Sequence, residues 1–112
     1  NPEVLICGDL ELLIKARTAH RQGQHLKLSP KEFDLIRYLV EHAGDLVTRD
    51  MLLKAVWKLN FDPGTNVVDV HMSRLRRKIE DGLEPPILTT LRGEGYRLTP
   101  APAASLDAGG PP

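Results

Sequence analysis

Residues 66–79, NVVDVHMSRLRRKI, and residues 89–98, TTLRGEGYRL, are the stretches on which the architecture turns. On a helix at about 100° per residue, Val68, Met72, Leu75 and Ile79 fall within roughly 60° of one another, a stripe that must pack on a core. The opposite side carries Asn66, Val70, Ser73, Arg74 and Arg77, with His71 and Lys78 on its shoulder. Asp69 and Arg76 share a flank, seven residues apart, where Asp69 is read as an ion-pair partner or a cap near the positive end of the helix. The pattern predicts a helix over 66–81, stopped by Gly82 and the Pro85-Pro86 pair. Two β-prone runs, 87–91 and 96–98, then flank Arg92-Gly93-Glu94-Gly95 and read as a hairpin over 87–98. Its tight turn calls for positive φ at Gly93 and Gly95.

Any solvated surface helix divides into an apolar and a polar side. Here, however, residues 66–78 hold four basic side chains against one acidic one, and no glutamate enters before Glu80. A merely solvated helix usually interleaves the signs for i,i+4 pairing. The hairpin adds Arg92 and Arg97 as a second basic element. A helix fits the DNA major groove, and a neighbouring β-ribbon can reach the minor groove or the phosphates.

Upstream, Thr48 caps a short helix carrying Met51, Leu52, Ala55 and Val56 and ending near Trp57. The loop Lys58, Leu59, Asn60, Phe61, Asp62, Pro63, Gly64 and Thr65 follows, with turn chemistry at Asp62-Pro63-Gly64. Before it, Ser29-Pro30-Lys31-Glu32 is a capping box with proline at the first helical position. Phe33, Ile36, Leu39 and Val40 recur at helical spacing, and Ala43-Gly44 ends that helix. Residues 4–28 hold four short apolar runs, 4–6, 10–14, 18–20 and 25–28, broken at Gly8-Asp9 and Gln22-Gly23-Gln24, as in an antiparallel meander. The expected fold class is α+β: a winged helix-turn-helix with an N-terminal four-stranded antiparallel sheet, three helices and a C-terminal β-hairpin wing.

The chain has 112 residues, enough for one small domain, with fifteen basic and fifteen acidic side chains balancing to zero. A general basic coat is therefore excluded, so anion binding must come from local arrangement. No apolar run approaches the ~18 residues of a membrane span, and no secretory signal opens the chain. The start at Asn1, without Met, points to a processed chain or a piece of something longer. Cys7 is alone, which excludes a disulfide framework and fits a reducing cytoplasm. Residues 99–112, TPAPAASLDAGGPP, read as a disordered tail. That leaves a domain over 4–98, with 1–3 as a linker remnant.

The paired motifs VDVHMSRLRRK and RGEGYR, together with LSPKEFDLIRYL (28–39) and VTRDMLLKAVW (47–57), closely resemble the OmpR/PhoB-type winged-helix effector domain of bacterial response regulators. The likeness covers about residues 4–98. It implies sequence-specific binding of double-stranded DNA, with the helix 66–81 in the major groove and the hairpin as wing. It implies base-reading roles for Asn66, Val70, Ser73, Arg74 and Arg77, with Val70 against a thymine methyl and Arg74 bidentate to guanine. Phosphate contacts fall to Trp57, His71, Arg76, Lys78 and Thr90. Arg92 would reach the minor groove, and Tyr96 would brace the hairpin or touch phosphate. The loop 58–65 stands where relatives touch RNA polymerase. The resemblance further implies two domains head to tail on direct repeats, and a receiver domain, absent from this chain, charged by a sensor histidine kinase. Four positions depart from the family pattern. Asn66 and Ser73 stand where many relatives are basic, Glu94 adds an acid to the wing tip, and Lys58 replaces a common glycine.

No other constellation competes. His20, His25, His42 and His71 lack zinc-ligand spacing, and His20 and His25 flank the turn of the second hairpin. Cys7 reads as a buried strand residue. Gly93-Glu94-Gly95 lacks the strand–helix unit of a dinucleotide site. Asp9, Asp34, Asp50 and Asp69 form no receiver-like acidic pocket. Trp57 is as well suited to the core as to DNA. No catalytic set, cofactor or metal is expected. The rival reading is a protein-interaction module, but such a face would favour aromatic or Met anchors, and this helix offers arginine, serine and asparagine.

Overall fold

The chain's architecture comes from a computed structural model, which describes residues 3–61 and 63–100. Four short strands lead: β1 (Val4–Cys7), β2 (Leu10–Leu13), β3 (Thr18–Arg21) and β4 (Gln24–Leu26). They pair antiparallel in the order β1-β2-β3-β4, with Cys7 opposite Leu10, Leu12 opposite Ala19 and His20 opposite His25. Alternation directs Cys7, Leu10, Leu12, Ala19, Arg21 and Leu26 to the buried side. The third strand runs through Arg21 and the fourth starts at Gln24, so the expected three-residue break contracts to Gln22-Gly23. Both residues have positive φ, 55° and 79°, the twist that a two-residue hairpin turn shares with its strands. His20 and His25 meet edge to face at 5.1 Å on the outer side. Burial, reinforced by the Asp9 charge, pushes the Cys7 thiol pKa up.

Helix α1 (Pro30–Glu41) begins as its sequence demands. Ser29 Oγ accepts from the Glu32 amide at 3.2 Å, and Glu32 Oε1 accepts from the Ser29 amide at 2.9 Å. Phe33, Leu35, Ile36 and Leu39 enter the core. Helix α2 (Arg49–Ala55) starts on a bond from the Met51 amide to Thr48 Oγ1 at 3.1 Å. It stops two residues short of Trp57, because Lys58 turns to a left-handed φ of 59°. That conformation favours glycine, the residue common there in the family this sequence resembles. Helix α3 (Val67–Glu80) buries Val68, Met72, Leu75 and Ile79, the stripe read from its spacing.

Strands β5 (Leu88–Leu91) and β6 (Gly95–Leu98) form the closing hairpin. Sequence patterning did not foresee that Val47, between α1 and α2, bridges to Tyr96. Each amide donates to the other's carbonyl at 2.8 Å. Thr99 also donates to the Ile87 carbonyl at 2.8 Å, so pairing runs one residue into the stretch read as tail. The rest of that reading, over 101–112, and the linker residues Asn1 and Pro2 lie outside the described residues.

One ion pair ties α3 to the start of α1. Lys78 Nζ lies 2.7 Å from Glu32 Oε1, and the Glu32 side chain is nearly sealed from solvent. Burial pushes the Glu32 carboxyl pKa up. The Lys78 hydrogen bond, the Ser29 amide and the Lys78 charge outweigh it and hold the carboxyl below its ordinary value of 4.5. A depressed folded pKa contributes stability that is present above the unfolded value and lost as pH falls through the folded one. Glu32→Gln is therefore expected to destabilise by about 1–2 kcal/mol at neutral pH. The gap from the parent should shrink in acid, as read from urea midpoints at both pH values; a gap that stays constant would refute the pairing as its source.

Candidate nucleic-acid interface

The arginines divide into two groups. Outside α3 and the hairpin each is engaged. Arg17 pairs with Asp34 at 2.9 Å, Arg21 with Asp9 at 3.1 Å, and Arg37 with Glu41 at 3.2 Å, while Arg49 donates to the Thr65 carbonyl at 2.8 Å. Among the described residues, Arg74 and Arg77 of α3 and Arg92 and Arg97 of the hairpin have no such partner, and all four are exposed. A neutral chain thus leaves its unneutralised guanidinium groups on two adjacent elements.

Not every expected contact residue stands open. Asn66 and Ser73 are exposed, and Asn66 makes no side-chain capping bond. Val70 is only half-exposed. Arg76 donates to Thr90 Oγ1, linking α3 to β5. Lys78 is held by Glu32, as described. His71 Nδ1 lies 2.8 Å from the Val67 carbonyl, and its ring meets Trp57 edge-on at 5.2 Å. Trp57 packs partly on the core, with Lys31 Nζ 5.4 Å from its ring.

Asp69 takes the ion-pair role read for it, but with Arg49 from α2 and not with its flank neighbour Arg76. Seven residues span about 10 Å of helix, too far for a direct contact with Arg76. Instead Asp69 Oδ1 accepts from the Tyr96 hydroxyl at 2.5 Å and lies 3.9 Å from Arg49 Nε. Tyr96 is buried. Burial and the Asp69 carboxylate push its phenol pKa up, so it stays a neutral donor. Of the two roles the family resemblance allows Tyr96, this geometry provides bracing: the hydroxyl pins the hairpin to the first turn of α3.

Between these elements lies a concavity of about 690 Å³ lined by Arg49, Ser73, Arg76, Thr90 and Arg92, with Tyr96 at its side. Arg49 was missed from the sequence. The available signal was its place at the first position of α2, where the helix dipole disfavours a cation. At the hairpin tip the Glu94 amide donates to the Leu91 carbonyl at 2.9 Å, and Gly93 and Gly95 take φ of 74° and 149° as expected. In the loop 58–65, Asp62 lies outside the described residues. Leu59 packs on the core, whereas Phe61 is 64% exposed beside a second hollow formed with Met51, Leu53 and Lys54. Among the described residues, no helix is long and apolar enough to cross a membrane, and no cluster of His, Cys, Asp or Glu could hold a metal ion.

A helix presented beside a β-hairpin, on a core of three helices, defines a winged helix-turn-helix domain. The family described as "Transcriptional regulatory protein, C terminal" matches residues 23–98, and the chain belongs to that family. It is 46% identical over 95 residues to the alkaline phosphatase synthesis transcriptional regulatory protein PhoP of Bacillus subtilis, covering 84% of this chain and 40% of the relative. The chain thus spans about two fifths of the length of the curated relatives it matches. The DNA-binding domain of Klebsiella pneumoniae RstA, solved in complex with the RstA box, superposes with a TM-score of 0.78 at 33% identity, covering 89% of this chain and all of that one. The DNA-binding domain of Escherichia coli CpxR gives 0.75 at 36% identity, covering 90% and 99%.

Proposed function

We propose that this chain binds double-stranded DNA sequence-specifically, as the effector part of a bacterial two-component response regulator that controls transcription. Helix α3 lies in the major groove and the β5–β6 hairpin on the minor groove or backbone. The observation that carries this reading is the confinement, among the described residues, of partnerless arginines to α3 and the hairpin. The RstA DNA-binding domain, a closely similar fold solved in complex with the RstA box, supports DNA as the partner. Arg74, Arg77, Asn66, Ser73 and Val70 read base edges. Arg76, Thr90, Lys78, His71 and Trp57 position the backbone, with Arg49 added from the lining of the concavity. The loop 58–65, with its exposed Phe61, meets RNA polymerase. Two copies sit head to tail on a direct repeat, and a receiver domain outside this chain couples them to a sensor histidine kinase. The domain performs no catalysis, uses no cofactor and works in the cytoplasm. A protein-interaction role fits α3 poorly, because its exposed face carries no aromatic or Met anchor.

The deciding experiment is selection from a randomised duplex pool, followed by anisotropy titration at two salt concentrations. Enrichment of a direct repeat spaced about one helical turn is expected. Weak, salt-sensitive binding without enrichment would overturn specific recognition. Within that assay, Arg92→Ala is expected to weaken all duplexes alike and to lower the salt slope by about one. A loss confined to certain sequences would instead assign Arg92 to reading narrow A·T tracts.

A further inference from the structure

Arg21, on the inner face of the N-terminal sheet, is fully sealed from solvent. Its Nε donates to both carboxylate oxygens of Asp9, at 3.1 and 3.2 Å. Nη1 donates to the Ile79 carbonyl at 2.7 Å, and Nη2 to the Pro85 carbonyl. Ile79 lies in the last turn of α3, where carbonyls lack helical partners and a cation suits the dipole. The neighbouring Gln22 donates from Nε2 to Asp9 at 2.8 Å and to the Glu84 carbonyl at 2.7 Å. Across the same connector, the Glu80 carboxylate accepts from the Ile87 and Leu88 amides at 2.8 and 2.9 Å. The passage from α3 to β5 is thus gripped by side chains from the N-terminal sheet and from the end of α3.

Sealing a guanidinium from water is costly, and an apolar side chain often serves stability as well. What an apolar group lacks is a rigid planar fork with donors in set directions. We infer that Arg21 is a positioning residue: it fixes the angle between α3 and the β5–β6 hairpin, so that both engage one duplex together. The inference rests on the duplex-binding reading above.

Arg21→Lys keeps the charge and loses the fork, and Gln22→Ala removes one exposed grip. Each is compared with the parent on the duplex recovered by selection and on a scrambled duplex, with folding checked by thermal unfolding. Folded Arg21→Lys is expected to lose about tenfold in preference for the selected duplex, and Gln22→Ala less. A purely structural role would leave the wing's contribution intact. Positioning instead makes Arg92→Ala cost less in the Arg21→Lys background than in the parent. Unchanged preference with an additive Arg92→Ala effect overturns the inference. Should Arg21→Lys fail to fold, Gln22→Ala and Asp9→Asn carry the same comparison, and additivity in both overturns it. Should the parent select no duplex, the DNA reading fails separately, and amide exchange decides the joint. Faster exchange at Leu88 and Thr99 with α1 unchanged supports it; equal exchange overturns it.

Discussion

Replacing Gly95 with alanine is expected to destabilise the domain by about 3–5 kcal/mol, from backbone strain and the loss of buried hydrogen bonds. Gly95 begins β6 with a φ of 149°, and a Cβ built there would lie 2.2 Å from the Val47 carbonyl oxygen. It would also lie 2.9 Å from the Thr48 Cα and the Val47 carbonyl carbon. None of these is the yielding end of a flexible side chain. That Val47 carbonyl is held at 2.8 Å by the Tyr96 amide, and the reciprocal bond is equally short. Relief of the clash must therefore separate β6 from the segment joining α1 to α2, carrying the Tyr96–Asp69 bond with it. Gly93 is the internal control, since a Cβ there meets nothing within 4 Å. Gly93→Ala should cost only the left-handed backbone penalty of about 1–2 kcal/mol. Urea unfolding of both variants tests the difference, and equal losses would refute the steric argument.

Arg74→Ala is expected to cost about 1–3 kcal/mol of specific binding and to relax one base position. Arg74 is exposed on α3, and among the described residues no carboxylate neutralises it. Its removal should leave folding alone, because among the described residues no hydrogen bond or ion pair depends on it. A bidentate arginine discriminates one base pair, so the loss should concentrate at one position of the selected duplex. Binding to a series of single-base substitutions checks this. Unchanged base preference would remove Arg74 from base readout. Arg76→Ala offers the contrast: Arg76, tied to Thr90, is assigned to the backbone, so its loss should weaken binding without relaxing any single base position.

Much of this protein could be read residue by residue. The Ser29 and Thr48 caps, the Val68-Met72-Leu75-Ile79 stripe and the Gly93-Glu94-Gly95 turn act through bonds within a few residues of chain. Such bonds follow from spacing and side-chain type. The exposed basic side of α3 was legible for the same reason, because burying the stripe leaves the opposite side in solvent. Short strands were located with errors of one or two residues, where turn geometry outweighs apolar pattern.

Three features lay beyond that reach. Asp69 binds Tyr96 and Arg49 rather than a neighbour on its own helix. Lys78, exposed on α3, shares its charge with the capping glutamate of α1. Arg21, an unremarked strand residue, closes the end of α3 from 58 positions away. Local pattern therefore sufficed for the elements and for the face they expose, since hydrogen bonds and periodicity along the chain act at short range. Which charges on that face remain available, and at what angle helix and wing meet, depended on pairings between distant segments. Those pairings exist only once the core has closed, because packing alone brings their partners within bonding distance.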